Sequence, residues 1–194
     1  MIKSTAGKLH WNYFLALERD LELASRYVEF CQQNFNVYSI EFAHLLFAAA
    51  SEVDVVAKLL CEHIAPEKPR GNIDNYRDAI TEKLPALPTT QISVPRYGLD
   101  LVPWDNWTGC TNPHWWRSYN NVKHERDVYF EEATLKNALN ALGGLLVLTY
   151  YYYSFILAPS GEERLAPKDT MQQLQPESGL LRLPDSHYYS KLLI

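Results

Sequence analysis

An all-α fold, an antiparallel four-helix bundle, is predicted by three features of the sequence. Apolar residues recur at helical spacing over 9–34 and again over 40–64. The run 138–158, "ALNALGGLLVLTYYYYSFILA", holds no charged residue. Between these stretches lies a proline-rich segment, 85–110, with no helical period. Four principal helices joined by short connections and one insertion pack most simply as a bundle.

The first helix is expected over 9–34. Trp11, Phe14, Leu21, Tyr27, Val28 and Cys31 fall on one stripe, with Glu18, Arg19, Glu22 and Arg26 largely off it. Ser39 is a suitable cap for the second helix, 40–64, and Glu41 in its first turn suits the dipole. Ala65-Pro66 ends it. A weaker helix is expected over 74–83. In the insertion, "TQISV" and "LDLV" flank "PRYG" and can pair as a small hairpin or lie as an ordered loop. Asn112-Pro113 starts another helix, running to about Arg126, and a long last helix follows over 131–158. Within it, Gly143-Gly144 suits close packing. The domain is therefore 1–159 with its insertion, followed by a linker from 160 and a tail to 194. "GLLRLPDSHYYSKLLI" has enough apolar content to dock on something.

Composition narrows the function classes. The chain has 194 residues and a formal net charge of -5, so it lacks the general basicity of a nonspecific duplex coat. Any phosphate contact must come from a local cluster. Cys31, Cys61 and Cys110 are far apart and odd in number, which suits free buried thiols in a reducing, cytoplasmic setting. The uncharged run 138–158 is long enough to span a bilayer. Asn140, Thr149, Ser154 and four tyrosines at 150–153 argue instead for a helix buried in protein, with no membrane. The histidines show no zinc spacing, and neither a metal nor a cofactor is expected.

The chemically suggestive segment is 115–127, "WWRSYNNVKHERD". Arg117 and His124 are seven residues apart, nearly two helical turns, so they share a face about 10 Å apart along the axis. Asn120 and Asn121 lie between or beside them. An imidazole titrating near about 6.5 can take and give a proton at neutral pH. Arginine stays charged and can grip a phosphate through two parallel hydrogen bonds. Together they form a minimal kit for cleaving RNA without metal: His124 as general acid and base, Arg117 neutralising charge on the phosphate. Trp115 and Trp116 suit core anchoring at a helix start, and an aromatic face can also stack a base.

Arg117-Ser118-Tyr119-Asn120-Asn121-Val122-Lys123-His124 resembles the motif of the HEPN superfamily. Those small helical bundles carry an arginine, a polar residue, a few more positions and then a histidine. Ser118 stands where asparagine, aspartate or histidine is most typical, and the six-residue spacing is at the long end of the family range. The helix order over about 39–158 extends the resemblance; residues 85–110 and the tail fall outside it.

The resemblance implies a homodimer in which two motifs face each other. It also implies a metal-independent endoribonuclease of toxin–antitoxin, phage-defence or RNA-processing type, with RNA or a nucleotide and an antitoxin or other protein as partners. It further implies an acidic residue from the second helix joining the site. Glu52 is the candidate by position, although a plain helix ion pair would also account for it. The alternative is a catalytically inactive HEPN-like module for dimerisation and for binding protein or nucleotide. The acidic balance, Ser118 and the apolar tail motivate that alternative.

Overall fold

The computed structural model describes residues 7–109 and 111–189, so Cys110 and the tail beyond 189 lie outside the described residues. The chain is mostly helical with one small sheet. Its elements are α1 (Leu9–Ala24), α2 (Ile40–Ile64), α3 (Ile73–Lys83), β1 (Ile92–Val94), β2 (Leu99–Leu101), α4 (His114–His124), α5 (Arg126–Tyr129), α6 (Leu135–Ile156) and α7 (Pro167–Gln173).

Three helices begin where a short polar side chain can satisfy a free backbone amide. Ser39 accepts from the Phe42 amide, Asn72 from Asn75 and Thr134 from Asn137. The bounds expected for α2 are those observed. α1 is shorter than expected. Ser25 turns its hydroxyl onto the Glu22 carbonyl, and the chain leaves the helix so that Phe30 can bury against Tyr97, 4.9 Å between ring centres. Tyr27, expected in the core stripe, is 86% exposed in consequence.

The helix expected to run to about Arg126 ends at His124. Glu125 (φ −137°, ψ 56°) breaks it, and the short α5 follows. Asn112 does not cap α4; its amide donates to Asp74 instead.

α2 and α6 form the most extensive helix pair. They run parallel: the Leu135 amide donates to the Val37 carbonyl at one end, and the His63 ring lies 5.5 Å from Phe155 at the other. α1 and α4 each pack on both members and run opposite to them. His10 meets Glu52 near the start of α1, whereas Tyr119 and Val122 of α4 meet Phe47 and Ala43 further back along α2. The two therefore flank the pair from opposite sides.

α6 is buried almost all round. Among the described residues no helix is long and apolar enough to cross a membrane. Gly144 is needed for packing, because a Cβ there would sit 3.0 Å from the Trp115 ring and 3.3 Å from Trp104. The Trp104 indole also donates to the Gly144 carbonyl at 3.1 Å. In the insertion, β1 and β2 pair antiparallel, Ser93 opposite Asp100. Leu87, Ile92, Val94 and Trp104 are buried, so this segment completes the core rather than looping out from it.

The segment expected as linker and tail is largely folded. α7 packs on α6, and Met171, Leu174, Leu180, Leu181 and Leu183 enter the core. Glu18 explains the attachment. This carboxylate, only 5% exposed, accepts the Ser178 hydroxyl and the amides of Gly179 (3.0 Å), Leu180 (3.0 Å) and Leu181 (2.8 Å). A buried carboxylate is tolerable when hydrogen bonds replace its water. The Trp11 indole adds a bond to the Pro176 carbonyl, and Arg182 and Ser93 exchange backbone hydrogen bonds. Glu18, expected largely off the core stripe, lies four residues after Phe14 and three before Leu21, on the inward face, where it organises a core contact.

Candidate functional site

α4 is an eleven-residue helix, HWWRSYNNVKH, without a single aspartate or glutamate. Its inner face is set by Trp115, Ser118, Tyr119 and Val122, all buried. Trp115 is fixed by an indole bond to the Pro103 carbonyl and by ring contact with Trp104, so it anchors the core. Ser118, the position after the motif arginine, is buried as well.

That packing turns Arg117 and His124 outward, both exposed and on one helix. They do not converge within the chain. The Arg117 guanidinium lies 3.3 Å from Nδ1 of His114, one turn back, as helical side chains lean toward the N-terminus. Asn121 donates to both carboxylate oxygens of Glu132, 3.2 and 3.1 Å away. Asn120 donates to the Trp116 carbonyl of its own helix.

The cations here lack carboxylate partners. Among the described residues, Arg117, Lys123, His124 and Arg126 form no ion pair. Lys123 donates to the Tyr119 hydroxyl at 3.1 Å, and Arg126 stacks its guanidinium 5.1 Å from the centre of the Phe47 ring. The acids begin just beyond, with Glu125 and Asp127 exposed on the next turn.

Glu52 is elsewhere. Its carboxylate pairs with Nδ1 of His10 at 2.5 Å, in a half-dry corner where the Tyr153 hydroxyl lies 3.3 Å from the His10 amide. It faces α1, across the α2–α6 pair from Arg117 and His124. The acid of α2 that does face α4 is Asp54, two residues on and roughly 200° round the helix. Position in sequence could not separate the two; only the direction of each neighbour does.

A groove of about 380 Å³ runs along this flank. Ser51 and Asp54 of α2, Asn72 ahead of α3, and Trp116, Asn120 and Lys123 of α4 line it. Tyr76, buried beneath, donates its hydroxyl to Asp54 Oδ1 at 3.0 Å; burial and that bond hold its pKa well above the usual tyrosine value. Among the described residues no cluster of histidine, cysteine and carboxylate side chains could hold a metal ion. No protein-family model, no curated protein and no solved structure matches the chain.

Proposed function

We propose that the protein is a HEPN-like, RNA-directed factor, a metal-independent endoribonuclease of the kind found in toxin, phage-defence or RNA-processing systems. Arg117 binds the phosphate, and His124 moves the proton between the attacking and leaving oxygens. Asn120 and Asn121 edge the same face, while Glu52 supports His10 rather than this site. The observation that carries the reading is α4 itself: an acid-free helix whose cations have no carboxylate to neutralise them, on a chain of net charge -5. An RNA backbone is the polyanion such a face would take.

Because Arg117 and His124 stay apart within one copy, the active form is a homodimer that brings Arg117 of one copy to His124 of the other. α1 and α4 run opposite to α2 and α6, which supports an antiparallel bundle of these four helices as the protomer. The setting is cytoplasmic. The test is cleavage of mixed RNA in EDTA by the wild type and by His124→Ala. The variant is expected to lose about 10²–10⁴-fold in rate. Equal cleavage by the two proteins, or none by the wild type, refutes the reading.

One observation favours a second reading, a catalytically silent module that binds protein or nucleotide. The Arg117 guanidinium is already engaged with His114. Partner binding that survives Arg117→Ala and His124→Ala would select it.

A further inference from the structure

We infer that the groove between α2 and α4 binds a guanine nucleotide, free or as one residue of an RNA chain. The inference deepens the proposed reading, and its RNA arm rests on it. Three groups make the case.

The first is an aromatic wall. Trp116 is half-buried, lines the groove and is held by ring contacts at 5.8 Å from Trp115 and 5.4 Å from Tyr119, and such an aromatic is the kind of group on which a base stacks. The second is Lys123, on the same flank with no carboxylate partner; Tyr119 holds its ammonium through the hydroxyl at 3.1 Å and the ring at 5.2 Å, which leaves its charge for a phosphate. The third is Asp54. Tyr76 fixes its Oδ1, while Oδ2 has only a loose approach from Lys58 at 3.8 Å.

An oriented carboxylate selects among bases by counting donors. Guanine presents two adjacent donors, N1–H and the 2-amino group, to one carboxylate. Adenine and cytosine each offer an amino group beside an acceptor, which a carboxylate repels, and uracil offers a lone N3–H. At about 380 Å³ the groove lies within the range of ligand pockets, roughly 300–1,000 Å³.

Calorimetric titration of the full chain with GMP, AMP, CMP and UMP tests this. GMP is expected to bind at least about tenfold more tightly than the others. Asp54→Asn keeps an acceptor for Tyr76 and should remove that preference. Lys123→Ala should weaken all four nucleotides together. Trp116→Phe, which retains a ring, controls for folding when Trp116→Ala loses binding.

In the RNA arm, mapped cuts should lie next to guanosine in the wild type and lose that bias in Asp54→Asn. Four equal affinities, no binding, or a base order unchanged in Asp54→Asn overturns the inference. Guanine selection without any RNA cleavage would leave the groove standing and remove the nuclease. Cleavage that depends on His124 with no guanine bias would do the reverse.

Discussion

The two sides of the α2–α6 pair treat charge in opposite ways. On the α1 side Glu18 holds four donors from residues 178–181, and Glu52 holds His10. On the α4 side the cations point outward with no carboxylate to meet them. Solvated surface cations need no partner, and among the described residues exposed Arg19 of α1 forms no ion pair either; what sets α4 apart is that its cations share their helix with no acid. The contrast is between a carboxylate that holds the fold together and cations that face solvent.

The most disruptive way to probe that contrast is Glu18→Ala. It leaves the amides of Gly179, Leu180 and Leu181 without their acceptor, two of them buried. Each such group costs on the order of 1–3 kcal/mol, so a loss of about 3 kcal/mol or more is expected in urea unfolding. Limited proteolysis should then cut within 160–178. A cost under about 1 kcal/mol would dissolve the contrast.

A smaller effect is expected at His187, whose ring is 4.8 Å from Tyr150 and whose pKa is lowered by burial. The folded protein takes up this proton less readily than the unfolded chain does. The group's contribution is therefore complete above about pH 6.5 and is lost as pH falls toward the folded value. Thermal unfolding at pH 5 and 7.5 should show His187→Gln losing less stability on acidification than the wild type. An identical pH response in both would remove His187 from the account.

The smallest effect sharpens the comparison from the other side. Arg117→Ala and His124→Ala should change unfolding free energy by no more than about 0.5 kcal/mol while acting on RNA cleavage. A large stability loss in either would make it a structural residue after all.

Much of the fold can be read from local rules. Ser39, Ala65-Pro66 and Asn72 mark helix ends because capping and proline chemistry depend on near neighbours. The uncharged run 138–158 reads as a buried helix, since its tyrosines and Asn140 suit protein surroundings. The end of α1 does not follow local rules, because Phe30 leaves the helix to reach Tyr97, far along the chain. Glu18 could be placed inward from its spacing to Phe14 and Leu21, but its donors lie about 160 residues downstream and cannot be read locally. The seven-residue spacing puts Arg117 and His124 on one face, and the burial of Trp115, Tyr119 and Val122 turns that face outward. That Asp54, not Glu52, lies on the α4 side of α2 requires knowing which helix packs where. Of the thiols, Cys61 is buried, with a pKa pushed up to about 11, as a core cysteine should be; Cys31 is only half-covered.

The Glu18 latch has a consequence for synthesis. Its socket emerges with the first helix, yet the amides that fill it arrive only once residue 181 has left the ribosome. Until then the Glu18 carboxylate has only water for a partner, and the apolar surface that residues 171–183 cover stays bare. Translation that stalls before residue 178 therefore yields a polypeptide with most of its helices and an unsealed seam, the kind of product quality-control proteases can grip.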